Sequence, residues 1–409
     1  MTSQNTTGEA PLGGIKVLEI GNYIAGPFCA MQLADLGADV IKIEAPDAGD
    51  IVRMTGPFQN GESGAFARIN RNKRSLALDL KQPAGADIFR RLAAAANVVI
   101  ENLRPGAMAR LGLDYPALSR LNQRLIYVAA SGWGQDGPLA QLPGLDIMVQ
   151  ARSGLMSITG EPDGNPVKVG VPICDLVCAL YAALAVMAAL RVLERTGKGQ
   201  LVDVSLFEST MSLAVWEAGR YFTTGEIPQR LGSAHQTSAP YQAIRAQDGW
   251  FTVGATTPKN WQGFCRALGL ERLEGEPRYA DVNLRFQHRG DLIEEVEAVT
   301  THKTVEQWIE RLEREGVPCA PIQDFGQSFN DPQLLARDYF WDAPHPTMGK
   351  VRQLGSPMRF SQSAARRGSA APRLGQDTRV ILAELGCSPA EVDDLLRARV
   401  VAEPQSAPA

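Results

Sequence analysis

The amino-acid sequence predicts an α/β fold, in which a large domain with a mostly parallel sheet is followed by a smaller α+β domain. Two patterns carry this prediction. Over the first two hundred residues, short apolar runs alternate with helical segments, which is typical of parallel strands joined by crossover helices. After about Gly225 the pattern changes to two apolar runs joined by Asp248-Gly249, a hairpin turn signal, followed by consecutive helices.

The large domain, predicted over residues 1–224, begins with a strand–helix–strand unit. Residues 16–20 form the first strand, and Gly26-Pro27 opens a helix because proline is favoured in a first helical turn. This helix is expected to end near Leu36, since Gly37 suits the position after a helix end. Further strands are predicted at 40–44, 75–80, 97–101, 125–130 and 201–206, and further helices at 84–95 and 175–195.

The smaller domain is predicted over residues 225–335 and is followed by a C-terminal segment, 336–409. The hairpin strands are 241–246 and 250–255, and helices are predicted at 259–268, 291–299, 305–315, 377–385 and 389–399. The tail 402–409 is rich in Pro, Ala and Ser and is expected to be disordered.

Composition excludes some classes of partner. The 409 residues are 44% hydrophobic and 21% charged, which is ordinary for a globular protein with a large core. A net charge of -4 argues against non-specific nucleic-acid binding, which needs a basic face. A local basic pocket for one phosphorylated ligand stays possible.

The cysteines and histidines predict neither disulfides nor a metal site. The six cysteines are scattered without a C-x-x-C pair, and the four histidines lie far apart. Metal sites need clustered ligands, so none is expected. Single thiols are typical of a reducing compartment, and we expect a cytoplasmic protein.

No membrane segment is predicted. The first ten residues are polar and do not resemble a signal peptide. The longest apolar run, 176–190, has fifteen residues, whereas a membrane span needs about 20. Because Asp175 and Arg191 bound this run, we predict a buried core helix.

The turn after the first strand invites comparison with dinucleotide-binding proteins. Their G-x-G-x-x-G fingerprint needs a middle glycine where this turn, residues 21–26, has Tyr23. Glu44, at the end of the second strand, would suit a ribose ligand. One matching feature of two does not favour a nicotinamide or flavin cofactor.

A dense polar and basic cluster, residues 70–75, precedes a predicted strand, and Lys81, Arg104 and Arg110 follow strands. Loops at the carboxyl ends of parallel strands line the ligand crevice. These side chains are therefore either a solvated basic surface or an anion site for nucleotide phosphates. Composition alone does not separate the two.

Asp175 directly precedes the long apolar helix. Aspartate is favoured as an N-cap because its side-chain oxygen accepts backbone N–H bonds. A carboxylate there is expected to stay ionised, since the helix dipole favours the anion, and carboxylates also serve as covalent nucleophiles. The two roles are compatible. Similarly, the loop from Gly232 to His235 is either a flexible connection or a mobile lid.

Eight short segments, in this order, resemble the family III CoA-transferases, the group that contains formyl-CoA:oxalate and carnitine CoA-transferases. The segments are PLGGIKVL at 11–18, AGP at 25–27, LGADVIKIE at 36–44, NKRS at 72–75, ENLRPG at 101–106, SGLM at 153–156, TG at 159–160 and TGKGQ at 196–200. Each is short, but their joint occurrence is specific, and the resemblance runs from about Pro11 to Val401.

The resemblance implies a Rossmann-like large domain that both chain ends complete, so that 336–409 returns to it. It also implies a homodimer of two subunits interlocked like linked rings. The family's catalytic aspartate falls at Asp175, which would attack the donor thioester to form an anhydride and then an aspartyl-CoA thioester. Acyl-CoA and a carboxylic acid are then the substrates, with no permanently bound cofactor.

The same resemblance implies the CoA-binding positions. They are Tyr23, Ile24, Ala25, Leu78, Lys81, Asn102, Leu103 and Arg110. Family members often carry a basic residue where this chain has Ala45, so Arg74 or Arg104 is expected to take that contact.

Two further departures from the family pattern concern the acid. Oxalate-using members carry tyrosines where this chain has Ala65 and Leu145, and the smaller side chains predict an acid longer than oxalate. Segments 230–235 and 240–243 look most like members that act on succinyl-CoA and dicarboxylates such as glutarate or malate. His235 is the candidate contact for the second carboxylate, and Gly232 marks the candidate lid.

Two alternatives stay open. Racemases of the same fold use a histidine in a Gly-His-Asp stretch, but this chain has Leu145, which cannot exchange protons. Incorporation of solvent deuterium at the α-carbon without an acceptor acid would indicate the racemase. A non-catalytic acyl-CoA-binding protein would bind CoA esters without forming an adduct, and Asp175 argues against it.

Overall fold

A seven-stranded sheet is the centre of the first of two units in the computed structural model, which describes residues 10–404. The first unit contains the chain as far as Ser153, residues 170–213 and the chain from Gln333 onward. The second contains residues 154–169 and 214–332. The sequence placed 154–169 and 214–224 with the large domain, whereas their contacts place them in the second unit.

The strands, in chain order, are β1 (Lys16–Ile20), β2 (Asp39–Glu44), β3 (Phe58–Gln59), β4 (Glu62–Ser63), β5 (Lys73–Leu78), β6 (Val98–Glu101), β7 (Ile126–Ser131), β8 (Leu201–Ser205), β9 (Tyr241–Arg245), β10 (Trp250–Gly254), β11 (Cys319–Pro321), β12 (Phe340–His345), β13 (Gly349–Leu354) and β14 (Val401–Ala402).

The helices are α1 (Ala25–Asp35), α2 (Gly64–Ile69), α3 (Pro83–Ala95), α4 (Ala107–Arg110), α5 (Tyr115–Leu121), α6 (Asp146–Arg152), α7 (Leu155–Ile158), α8 (Ile173–Thr196), α9 (Leu206–Met211), α10 (Val215–Thr224), α11 (Pro258–Leu268), α12 (Val282–Gln287), α13 (Arg289–Thr300), α14 (Val305–Arg314), α15 (Phe325–Ser328), α16 (Pro332–Ala336), α17 (Thr378–Glu384) and α18 (Pro389–Arg397).

The large sheet confirms the predicted parallel α/β architecture. Its strand order is β14-β5-β2-β1-β6-β7-β8, and all neighbours are parallel except β14, which runs antiparallel to β5. Chain order reverses between β1 and β6. In doubly wound sheets of this kind, ligands bind beyond the carboxyl ends of the strands at that reversal.

Helices cover both faces of this sheet. On one face, α3, α5, α17 and α18 pack on the strands around Phe89 and Leu382, which are fully buried. On the other, α1 and α8 pack around Leu33 and Val186. Burial on both faces explains why the strands are nearly continuous apolar runs in the sequence.

Strand β5 begins two residues earlier than predicted, at Lys73 instead of Ser75. Residues 73 and 74 are charged, and the sequence pattern therefore left them in a loop. In the structure Lys73 is buried and ion-paired, so its charge is compatible with a strand interior.

Helix α8 is only partly the buried core helix that the sequence predicts. The helix is long enough and apolar enough to cross a membrane. Of its most apolar stretch, 33% is buried within the protein. One such helix is weak evidence for a span. Ala182, Val186 and Leu190 face the core, whereas Leu180, Leu184 and Met187 are exposed.

The C-terminal segment lies on the first unit's sheet. Ile381 and Val392 join the core of the α3 face, and β14 pairs with β5 in the register Val401 to Leu78. The expected disorder from Ala402 onward is therefore wrong at Ala402, whose backbone is held by this pairing. Residues 405–409 lie outside the described residues.

In the second unit, β9 and β10 form the predicted antiparallel hairpin, and β11 extends it. Helices α11, α13 and α14 pack on it around Phe264 and Trp308. Trp308 Nε1 donates to Thr300 O at 2.7 Å, so the buried indole is satisfied. The predicted helices at 259–268, 291–299 and 305–315 are confirmed within two residues.

Candidate active site

The turn after β1 lies at the point where strand order reverses. Asn102, just beyond β6, holds this turn through hydrogen bonds from both the oxygen and the nitrogen of its side-chain amide. Its Oδ1 accepts the Asn22 N–H at 2.9 Å, and its Nδ2 donates to Asn22 O at 2.7 Å. Tyr23 has a positive φ of 62°, and its N–H donates to Asp50 Oδ1 at 3.2 Å. These bonds fix a turn that backbone preference alone would not select.

A buried charge cluster of Glu19, Lys42, Lys73 and Asp50 supports that turn. Lys42 Nζ lies 2.7 Å from Glu19 Oε1 and 2.9 Å from Asp50 Oδ2, and donates to Gly21 O at 2.9 Å. Lys73 Nζ reaches the other oxygen of Glu19 at 2.9 Å. Although burial favours the protonated form, the two lysines hold the pKa of Glu19 below its ordinary value.

Glu44 is already occupied by protein groups. Arg53 donates to both of its oxygens, at 2.7 and 2.8 Å, and Ser75 Oγ donates at 2.8 Å. A ribose ligand would have to replace these bonds. The structure therefore gives no support to a nicotinamide or flavin site at Glu44.

A cavity of about 270 Å³ opens at the carboxyl ends of β1, β2, β5 and β6. It brings together three predicted CoA-binding residues, Leu78, Lys81 and Leu103. Ala45 lines it as well, at the position where the resemblance implies that family members often carry a basic residue. Tyr23 and Asn102 do not line this cavity, but they shape its wall through Asn22, which does.

Three exposed cations lie at or beside residues that line this cavity. Lys81 lines it directly, Arg104 follows Leu103, and Arg110 precedes Leu111. Within residues 10–404, none of the three forms an ion pair. Cations without acidic partners at strand ends suit an anionic ligand such as a nucleotide phosphate.

Arg74 is not brought to this cavity. It is the second residue of β5, at the opposite end of the strand from Leu78. Its guanidinium pairs with Asp39 at 2.6 Å and Glu384 at 2.9 Å. Of the two candidates for the contact missing at Ala45, Arg104 is the one that the geometry leaves available.

The basic cluster at 70–75 is neither of the two predicted alternatives. Arg71 forms a bidentate pair with Asp35, at 3.0 and 2.6 Å, and Lys73 belongs to the buried charge cluster. These cations serve internal ion pairs, so they are neither a solvated surface nor an anion site. Composition could not show this, because the acidic partners lie elsewhere in the sequence.

Asp175 lies in the first turn of α8 but is not its N-cap. The N-cap position is Pro172, and Asp175 is the third helical residue. Asp146, the first residue of α6, accepts the Cys174 N–H at 2.8 Å and so performs the capping role. Asp175 itself is half-buried. The predicted cap role of Asp175 is therefore wrong, because the carboxylate that caps α8 is that of Asp146.

The expectation that the helix N-terminus keeps Asp175 fully ionised is also wrong. Burial raises the pKa of Asp175, and the negative charge of Asp146 raises it further, to about 7 from an ordinary 3.8. A carboxylate with a raised pKa is more basic, and hence more nucleophilic when ionised.

The hydrophobic cluster around Ala25 joins the first turn to the start of α8. Ala25, the first residue of α1, packs with Cys174 and Cys178 of α8. This apolar contact therefore links the two predicted site segments of the first unit, which are the turn after β1 and the start of α8.

Gly232 and His235 belong to the second unit. Gly232 has φ 61°, donates to Gly160 O at 3.0 Å, and has Glu161 so close that an added Cβ would lie 2.8 Å from its Oε2. The His235 ring stacks on Tyr241, with centroids 4.8 Å apart, and meets the edge of Trp216. The positive φ favours glycine at 232, and aromatic packing holds the imidazole of His235.

The sequence interpretation missed the roles of Asp146, Glu19 and Lys42. A signal for the last two was present, because a charge inside an apolar strand of a sheet covered on both faces needs a buried partner. Asp146 carried no comparable signal. Within residues 10–404, no group of three or more His, Cys, Asp and Glu side chains is placed to hold a metal ion.

Comparisons with known proteins agree on one family. The model of CoA-transferase family III matches residues 12–378. A mouse succinyl-CoA:glutarate CoA-transferase is 38% identical over 92% of this chain and 86% of its own. A succinate–glutarate CoA-transferase of Agrobacterium fabrum is 36% identical over 92% and 96%. A CaiB/BaiF family protein of Brucella suis superposes with a TM-score of 0.84, at 37% identity, over 92% and 100% of the chains.

Proposed function

This chain belongs to CoA-transferase family III, and we propose that it moves coenzyme A from succinyl-CoA to a dicarboxylic acid through a covalent intermediate on Asp175. The observation that carries the proposal is the half-buried carboxylate of Asp175 in the first turn of α8, with its pKa raised to about 7. The relatives named for succinate and glutarate support the choice of substrates.

In the proposed mechanism an oxygen of Asp175 attacks the thioester carbonyl of the donor. The C–S bond breaks, the CoA thiolate leaves, and a mixed anhydride forms. The thiolate then attacks the aspartyl carbonyl, releasing the donor acid and leaving an aspartyl-CoA thioester. The acceptor acid reverses both steps. Each step makes one acyl bond and breaks another, and no proton is gained or lost.

The cavity at the carboxyl ends of β1, β2, β5 and β6 is the proposed coenzyme A site. The contributing residues are Tyr23, Ile24, Ala25, Leu78, Lys81, Asn102, Leu103, Arg104 and Arg110. Lys81 and several leucines line the cavity, and Arg104 and Arg110 adjoin lining residues in sequence. This combination suits a ligand with phosphates at one end and apolar segments along its length.

Gly232 marks the proposed lid over the reaction, and His235 is the proposed contact for the second carboxylate of the acid. Support for the lid is the positive φ of Gly232, which favours glycine in this loop, and support for His235 is the packing of its ring on Tyr241 and Trp216. A lid protects the anhydride because water would hydrolyse it.

The experiment that tests the function is incubation with succinyl-CoA and a panel of acids from oxalate to adipate, with intact-protein mass spectrometry alongside product analysis. We expect glutaryl-CoA or another mid-length CoA ester, and an adduct on wild-type protein that is absent from Asp175→Ala. Absence of both product and adduct would contradict the proposal. Deuterium uptake at the α-carbon without an acceptor would favour the racemase.

The coenzyme A site gives a separate prediction. Lys81→Ala is expected to raise KM for succinyl-CoA by roughly tenfold, since a hydrogen bond to a charged group contributes about 1.5–3 kcal/mol. The contact is made equally in ground and transition states, so kcat should change little. The control Arg90→Ala removes a cation on α3 that pairs with Asp87 and should leave both constants unchanged. An unchanged KM in Lys81→Ala would exclude Lys81 from the site.

We also propose a homodimer, with the interlocked arrangement implied by the family. The exposed residues Leu180, Leu184 and Met187 recur at helical spacing along one face of α8. The opposite face of α8 packs in the core of the first unit. A membrane span would expose all its faces to lipid, so an interface on the exposed face explains the helix better. The free cysteines of the chain fit a cytoplasmic location.

Light scattering tests the dimer. The expected mass is twice the 44.2 kDa of one chain. Leu184→Glu should reduce it to the monomer mass or cause aggregation, because a charge would face the apolar contact. Leu121→Glu, at another exposed leucine, on α5, is the matched control and should stay dimeric. A wild-type monomer would rule the proposal out.

A further inference from the structure

Helix α8 takes its cap from another helix. Its own N-cap residue, Pro172, supplies no side-chain bond. Asp146 Oδ1 instead accepts the Cys174 N–H at 2.8 Å, and Asp146 Oδ2 accepts Gln150 Nε2 at 2.6 Å. The first N–H groups of a helix have no intrahelical partner, so Asp146 satisfies one of them from outside. Its carboxylate is held at both oxygens, beside the residue that precedes the nucleophile.

We propose that Asp146 is a positioning residue for Asp175: its hydrogen bond to the Cys174 N–H anchors the first turn of α8, and its carboxylate acts on that of Asp175 by charge repulsion. This inference rests on the proposed role of Asp175. Two neighbouring carboxylates repel each other, and acylation of Asp175 removes one of the two charges. The repulsion therefore raises the free energy of the reactant relative to the acylated enzyme and favours attack.

The two cysteine thiols at this end of α8 do not supply such a charge. Burial raises the pKa of the Cys174 thiol to about 11 and also raises that of Cys178, so both thiols are neutral near pH 7. The negative charge of Asp146, by contrast, raises the pKa of Asp175. The other charged groups on the elements packed here are Arg152 on α6, Asp203 on β8, Glu208 on α9 and Asp35 on α1, which pairs with Arg71. Helix α8 itself carries Arg191, Glu194 and Arg195 in its last turns.

The substitution Asp146→Asn separates the two roles. Its amide oxygen can still accept the Cys174 N–H, whereas its charge is gone. Asp146→Ala removes both. The matched control is Glu208→Gln, which removes one negative charge from α9, a helix that packs against α6 and α8.

The measurement is the pH dependence of the single-turnover rate of adduct formation with succinyl-CoA, followed by mass spectrometry. The acidic limb of this profile is the range in which the rate rises as Asp175 loses its proton. In Asp146→Asn we expect this limb to move to lower pH by roughly one unit. In Asp146→Ala we expect the rate to fall roughly tenfold to a hundredfold at every pH, because the nucleophile loses its orientation. Glu208→Gln should follow the wild type.

An acidic limb that stays in place in Asp146→Asn, or that moves equally in Glu208→Gln, would overturn the role of Asp146 and leave the transferase mechanism intact. Absence of any adduct in the wild type would instead overturn the proposed function itself. If Asp146→Ala does not fold, the limb of Asp146→Asn still decides the question, since that variant keeps the cap.

Discussion

Asp175→Asn is expected to lower the turnover number of CoA transfer by roughly 10⁴-fold or more, which is the scale seen when a covalent nucleophile is removed. The amide cannot form the anhydride, because it lacks the anionic oxygen that attacks the thioester. Formation of the product CoA ester measures the effect. The control Asp163→Asn changes an exposed aspartate of the second unit and should retain activity. Retention of more than a few per cent of activity in Asp175→Asn would exclude this residue as the nucleophile.

The same substitution is expected to stabilise the protein at high pH. Because the pKa of Asp175 is raised from 3.8 to about 7, the folded state holds this proton more tightly than the unfolded chain. The stability that this group contributes is full below about pH 4 and is lost as pH rises through 7. The Asn variant has no such loss, so its Tm should exceed that of wild type at pH 8 and converge with it near pH 4. An equal difference at both pH values would contradict the raised pKa.

Lys42→Met is expected to lower the free energy of unfolding by about 3–5 kcal/mol, the typical cost of removing one partner from a buried ion pair. Lys42 is fully buried, and it pairs with both Glu19 and Asp50. Burial alone would lower the pKa of Lys42, but these carboxylates raise it above its ordinary value. Methionine fills similar space without the charge, so the loss reports on uncompensated carboxylates and not on a cavity.

Urea denaturation at neutral pH measures this loss. The matched control is Arg90→Met, which removes one partner of the exposed pair with Asp87 and should cost about 1 kcal/mol or less. Equal losses in the two variants would mean that the charge cluster contributes no more than a surface pair. Since Lys42 also donates to Gly21 O, KM for succinyl-CoA should rise in Lys42→Met as the first turn loosens.

Local pattern was sufficient for much of the fold. The alternation of strands and helices, the Gly-Pro start of α1 and the Asp-Gly hairpin each depend on neighbouring residues, and all three are confirmed within a few residues. Family motifs predicted site roles for Asp175 and the turn at Tyr23 for the same reason, because a motif is a local arrangement, and those roles stay predictions. The hairpin β12–β13 and the short helices around residue 210 were missed, since their patterns are short and lack strong turn signals.

The properties of the site depended on partners distant in sequence. The sequence determined that Asp175 stands at the start of an apolar helix and that Lys73 belongs to a basic cluster. Only the tertiary structure decided that Asp146 caps this helix and helps to raise the pKa of Asp175, and that Lys73 pairs with Glu19 inside the sheet. Charge, burial and hydrogen bonding act through space, and a residue's neighbours in space are set by the packing of strands and helices.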